Sequence, residues 1–134
     1  MLASTSARVA ANVVAKGDVL ATARVAGIQA VRQAMPLLIM SHRALVDNVR
    51  VSFTIADTHI DVEASVDMVD HSSVEMEALT AVTVAALTIY DMCKSADRTM
   101  TIGEVVLWER SDDRADVWRR DAAFSAVSDE DTQS

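Results

Sequence analysis

Residues 74–94 read VEMEALTAVTVAALTIYDMCK, and where this stretch keeps its charges decides the fold. Alanines, leucines, methionines and glutamates run through it, so its intrinsic preference is helical. A surface helix of a soluble protein carries a polar stripe along its whole length. Here the thirteen residues from Ala78 to Tyr90 hold no charge, while Glu75 and Glu77 precede them and Asp91 and Lys94 follow. Such a helix has to be covered on more than one side, partly by its own sheet and partly by a second copy of the chain. Its start is marked by Ser72, whose spacing to Glu75 matches a Ser-x-x-Glu capping box.

Upstream, KGDVLATARVAGIQAVRQAM (Lys16 to Met35) predicts another alanine-rich helix, N-capped by Asp18 and ended by Pro36. The following LLIMSHRALVDN has no clear period, which puts His42 in a connection or at a strand edge. At Val49 the pattern changes to alternation. Val49, Val51, Phe53 and Ile55 share one face, and Ile60, Val62, Ala64, Val66 and Met68 form a second run, giving two antiparallel strands joined near Ala56 and Asp57. Downstream, TIGEVVLWE (Thr101 to Glu109) predicts a third strand with Gly103 at a bulge. Residues from about 120 to 134 form an acidic tail, expected to be flexible. The order helix, strand, strand, helix, strand predicts a single α+β domain over residues 1–134, an antiparallel sheet with two long helices packed on one face.

With 134 residues, 51% hydrophobic and only 4% aromatic, the chain builds one core from small and β-branched aliphatics rather than large rings. Close helix packing and subunit contacts suit that choice. The formal net charge of −8 argues against a general nucleic-acid or membrane-surface binder, since both ligands are polyanions. The lone Cys93 excludes an intrachain disulfide and fits a reducing cytoplasm. No continuous apolar region opens the chain, and Ala78–Tyr90 falls short of the roughly 20 residues a spanning helix needs, so a soluble protein is expected.

Glu75 and Glu77 begin a helix, where the dipole favours carboxylates, and capping is the simpler reading for Glu75. Asp91 lies in the last turn, where the dipole disfavours an acid, so a partner is needed. Lys94, three residues on, gives either a surface ion pair worth about 0.2–0.5 kcal/mol or an ammonium whose pKa the carboxylate sets for proton transfer. Lys16 stands before Gly17 and Asp18 at a helix start, a place suited to anions such as phosphate. His42 sits between Ser41 and Arg43, which together could hold a phosphate, although a structural histidine is the commoner case. His59 and His71 read as surface residues. Fourteen residues of helix between Glu77 and Asp91 rise about 21 Å. One small substrate cannot touch both ends, so if both serve a site, a neighbouring subunit brings its opposite helix end alongside.

From Lys16 to Trp108, and most clearly in KGDVLATARVAGIQA and VEMEALTAVTVAALTIYDMCK, the chain resembles the MoaC family, the cyclic pyranopterin monophosphate synthases of molybdenum-cofactor biosynthesis. The distance from the KGD lysine to the histidine of SHR fits as well. The resemblance implies a ferredoxin-like fold and a cytoplasmic homo-oligomer, a hexamer built as a trimer of dimers, with active sites between subunits. It implies a lyase converting 3',8-cyclo-7,8-dihydroguanosine 5'-triphosphate to cyclic pyranopterin monophosphate and pyrophosphate. No cofactor is required, Mg can accompany the triphosphate, and neither nucleic acid nor membrane is a partner. By the same resemblance Asp91, Lys94 and Lys16 are catalytic, while Met40, Ser41, His42, Met76 and Glu77 bind substrate with Glu75 beside them. The family has Cys and Pro around the histidine where Ser41 and Arg43 stand here. Its N-terminal arm is mostly absent before Lys16, where Arg8 is a candidate, with no motif to anchor it, for the place of the arm's arginine. Its Gly- and Lys-rich turn is ERSDDRAD here, leaving Arg110 and Arg114 to face phosphates. These departures motivate a rival reading, a ligand-binding or assembly subunit without turnover.

Overall fold

The computed structural model describes residues 1–34, 36–37, 46–68, 74–111 and 117–120. In chain order these form α1 (Ala3–Ala10), α2 (Val19–Ala34), β1 (Val46–Ile55), β2 (Ile60–Met68), α3 (Glu75–Cys93), β3 (Glu109–Ser111) and β4 (Val117–Arg119). The alternating segments pair as predicted. β1 and β2 are antiparallel, with Val49 opposite Val66, Val51 opposite Ala64, Phe53 opposite Val62 and Ile55 opposite Ile60. Directly opposed residues share a face, so these eight side chains make one continuous apolar surface. Arg50, Ser52 and Thr54 oppose Ser65, Glu63 and Asp61 and supply the polar face. The turn closes through the Ala56 N–H, which donates to the His59 carbonyl at 2.9 Å.

The two long helices pack on the apolar face of this hairpin and on each other, giving the α+β layer the pattern called for. Asp18 caps α2 as expected: its Oδ1 accepts from the Ala21 N–H at 3.1 Å. Gly17, just before it, has φ 121°, a conformation open to glycine and strained for other residues. Along α2 the buried positions Val19, Ala23, Gly27, Ala30, Val31 and Ala34 recur every three or four residues, and most are small. At Gly27 the layers meet so closely that an added Cβ would lie 3.1 Å from the Ala81 carbonyl oxygen, 3.2 Å from Val51 and 3.3 Å from Ala85. The carbonyl belongs to α3 and cannot retreat without breaking a helical turn.

α3 buries Glu77, Ala81, Ala85, Ile89, Met92 and Cys93 along one side. It begins at Glu75 with Val74 as N-cap and without a side-chain capping bond. The expected capping box therefore does not hold in that register, because Glu75 is the first helical residue rather than the third; Ser72 lies outside the described residues. By length and apolarity alone α3 could cross a membrane, and only about a third of it is buried. Met76 and Leu87 are exposed on its outer side.

Two expectations fail. The third strand does not extend over Thr101–Trp108, since those residues join no ladder among the described residues and pairing starts only at Glu109, against β4. Glu104 has φ 54°, a left-handed kink that a continuous strand cannot contain, and Gly103 has no ladder in which to form a bulge. The second is the N-terminus, expected only as a short start, which forms α1. This helix ends in a Schellman motif: Asn12 sits at φ 56°, its N–H donates to the Val9 carbonyl at 3.1 Å, and the Val13 N–H reaches the Arg8 carbonyl at 3.0 Å.

α1 is fastened at both neighbours. The Met1 ammonium donates to the Thr58 carbonyl at 2.8 Å and the Ser6 hydroxyl to the Ala56 carbonyl, both in the hairpin turn. The Leu2 N–H donates to Asp97 Oδ2 at 2.8 Å, while Asp97 Oδ1 accepts from the Thr99 N–H at 2.9 Å and the Thr99 hydroxyl at 2.6 Å. Asp97 is 2% exposed, and these donors, the Thr99 hydroxyl first and then the Leu2 N–H, hold its carboxyl far below the ordinary carboxylate value.

Two outcomes follow for stability. Gly27→Ala loses about 1 kcal/mol, because overpacking costs about 1–3 kcal/mol and the gain in helix propensity offsets about 1; Gly27→Val loses more, and denaturant melts of both variants measure it. A depressed folded-state pKa means that the Asp97 contribution is complete above the ordinary value of 3.8 and drains away as pH falls below it. Asp97→Asn therefore melts lower than the parent at neutral pH and shows a shallower loss of Tm on acidification, read by thermal scans across the acid range.

Candidate active site

The chemistry-bearing side chains gather at the two ends of α3. At the C-terminal end, Lys94 Nζ stands 2.6 Å from Asp91 Oδ1, and Lys16 Nζ donates to the Asp91 main-chain carbonyl at 2.9 Å. Lys16 reaches this position because the Gly17 turn and the Asp18 cap fix the start of α2 beside the end of α3. Asp91 thus draws one lysine by its side chain and another by its backbone. The unfavourable dipole at a helix C-terminus is answered by two cations.

Lys94, through its hydrogen bond and then its charge, and Lys16 more weakly, hold the Asp91 carboxyl below its ordinary value. The same bond raises the Lys94 ammonium above its own. Both shifts lead away from neutrality. Without substrate, then, Asp91 is ionised and Lys94 protonated at neutral pH, the ammonium poised as a proton donor. Both side chains are exposed, so the pair itself adds little to stability. Cys93 beside them is buried, and desolvation raises its thiol pKa, which leaves it unreactive.

At the N-terminal end, Glu75 Oε1 pairs with Arg110 Nη1 at 2.9 Å, Glu77 is only 5% exposed, and Met76 lines a shallow apolar groove with Leu79, Thr80, Thr83 and Val84. Arg110 is delivered by the β3–β4 ribbon. Arg120 braces that ribbon, donating to the Trp108 carbonyl at 2.7 Å and the Leu107 carbonyl at 2.8 Å while its guanidinium lies over the Trp118 ring. Met40, Ser41, His42, Arg43 and Arg114 lie outside the described residues. His59 stands 3.5 Å from Asp61 on the exposed hairpin, a surface residue as expected.

Within one chain, then, Lys16, Asp91 and Lys94 form one group and Glu75, Met76, Glu77 and Arg110 another, separated by about 21 Å of helix. Next to the first group is a cavity of about 440 Å³ lined by Tyr90, Lys94, Ser95 and Arg98. Tyr90, Ser95 and Arg98 were not singled out from sequence; the four-residue spacing of Tyr90, Lys94 and Arg98 was the available signal. Among the described residues no three His, Cys, Asp or Glu side chains converge as a metal site.

Asp91→Asn should bring the Lys94 pKa back down toward its ordinary value. NMR titration of lysine labelled at Cε reads this directly, and an unchanged Lys94 would show that Asp91 is not the cause.

Fold and site together define an α+β domain with a cation-rich centre built on one carboxylate. The chain belongs to the MoaC family, whose model matches residues 1–112. It is similar to the cyclic pyranopterin monophosphate synthase of Thermoanaerobacter sp. (strain X514), 43% identical over 123 residues that cover 90% of this chain and 78% of the relative. The synthase of Roseiflexus sp. (strain RS-1) is 49% identical over 117 residues, 86% of this chain and 74% of the relative. Cyclic pyranopterin monophosphate synthase 1 of Mycobacterium tuberculosis (strain ATCC 25618 / H37Rv) is 44% identical over 124 residues, 92% and 73%.

Proposed function

We propose that the protein is a cyclic pyranopterin monophosphate synthase of molybdenum-cofactor biosynthesis, a lyase acting on 3',8-cyclo-7,8-dihydroguanosine 5'-triphosphate. The observation that carries the reading is the convergence of Lys16 and Lys94 on Asp91, in a chain similar over most of its length to synthases of that name. Making a cyclic monophosphate and pyrophosphate from a triphosphate requires a substrate hydroxyl to attack the innermost phosphorus. One P–O bond forms, the bond to pyrophosphate breaks, and the hydroxyl proton leaves. Cations must offset the charge on the departing pyrophosphate, and ring opening and closure need groups that give and take protons. Lys16 and Lys94 meet the first need, and Asp91 with Lys94 the second.

In this reading His42, with Met40 and Ser41, and Glu75, Met76, Glu77 and Arg110 contact the substrate. The two ends of α3 are halves of different sites, completed by a neighbouring copy. The exposed apolar side of α3 and the span between its ends support a homo-oligomer, a hexamer made as a trimer of dimers. The reaction is a cytoplasmic one needing no resident cofactor, with Mg as an escort for the triphosphate, and residues 1–134 act as one domain.

Incubation with the cyclised GTP triphosphate should release pyrophosphate and the pterin product, and Lys94→Ala should lower turnover at least about 100-fold. Glu77→Ala and Lys94→Ala proteins, each inactive, should recover about a quarter of the parental turnover when unfolded and reassembled together, the statistical share of sites receiving both intact halves. Absence of product from the parent protein would leave only the ligand-binding reading.

A further inference from the structure

We propose that the cavity lined by Tyr90, Lys94, Ser95 and Arg98 is the seat of the pyrophosphate end of the substrate, with Arg98 as its anchoring cation. The proposal rests on the function inferred above and names residues beyond those assigned to it.

The cavity is made by a continuation of α3. After Cys93 the chain keeps coiling: the Lys94 N–H donates to the Tyr90 carbonyl at 2.9 Å and the Asp97 N–H to the Cys93 carbonyl at 3.1 Å. Beyond this last turn Arg98 lines the same cavity as Tyr90, Lys94 and Ser95. Arg98 is also held in place. It is an exposed residue next to Asp97, whose carboxylate is bonded to Leu2 and Thr99, and shortly before the buried Met100. The backbone that presents it is thus fixed from both sides.

Charge points the same way. Lys94 is already engaged by Asp91 at 2.6 Å, whereas Arg98 has no ion pair among the described residues. On a chain of formal net charge −8, a guanidinium beside an ammonium and two hydroxyls is a local reversal of sign. A guanidinium offers a planar fork of donors that matches two phosphate oxygens at once, and the Tyr90 and Ser95 hydroxyls add neutral donors. A volume of about 440 Å³ suits a small-molecule group. Asp91 does not line the cavity although Lys94 does. Lys94 is thus the residue shared by the cavity and the Asp91 pair.

The test is calorimetry of the intact oligomeric protein with inorganic pyrophosphate in Mg-free buffer, beside steady-state kinetics with the cyclised GTP triphosphate. Arg98→Ala should bind pyrophosphate about tenfold more weakly, Arg98→Lys should recover part of the loss, and the defect in turnover should fall on KM more than on kcat. Arg98→Gln, which keeps length and a donor but not charge, should resemble the alanine variant, and thermal melts confirm that each is folded. Equal pyrophosphate affinity in parent and Arg98→Ala protein, or no pyrophosphate binding by an active parent, overturns the proposal. Arg98-dependent pyrophosphate binding by a protein without turnover upholds the seat and defeats the synthase reading instead.

Discussion

The approach of α2 to α3 over Gly27 sets the rest of the structure. Because Ala23, Gly27 and Ala30 meet a partner helix carrying Ala81 and Ala85, the two axes come close enough for Val51 of the sheet to reach the same point. Contacts this tight need little side-chain volume, which is how a chain with only 4% aromatic residues closes a core. The same contact fixes the relative slide of the helices. Lys16, at the head of α2, can bond the carbonyl of Asp91 only if that slide is right. Core packing and site geometry are therefore one constraint expressed at two places.

The electrostatics of α3 follow from its ends. Acids at its first turn gain from the dipole, and Arg110 and the buried setting of Glu77 make that end a polar cluster. At the other end, cations outnumber the single carboxylate. In the proposed oligomer, the proposed substrate, with a triphosphate at one extremity and proton chemistry at the other, would meet both kinds of surroundings where two such ends adjoin across the apolar middle of the helix.

Periodicity read the hairpin well, since Val49, Val51, Phe53 and Ile55 show an unbroken alternation that only a strand satisfies, and Asp18 and Pro36 punctuate α2 by local chemistry. The resemblance in KGDVL and in residues 74–94 named the Lys16, Asp91 and Lys94 group. What stayed hidden depends on contacts distant in sequence. α1 has few strong helical signals of its own; its Asn12 stop is readable, but its docking relies on Asp97 and on the turn at Ala56 and Thr58. Thr101–Trp108 has strand-like composition, and the backbone reversal at Glu104 is invisible to an alternation count. Arg98 belongs to no motif, and only the fold brings it to one cavity with Tyr90 and Lys94.

Asp97 has a dynamic consequence. Its carboxylate joins the first turn of α1 to the segment presenting Ser95 and Arg98, and α1 in turn holds the hairpin tip. Opening any one of these three pieces strips the others of hydrogen bonds, which couples their local opening. Amide exchange in α1 would then report on the breathing of the loop carrying Ser95 and Arg98, nearly a hundred residues away in sequence.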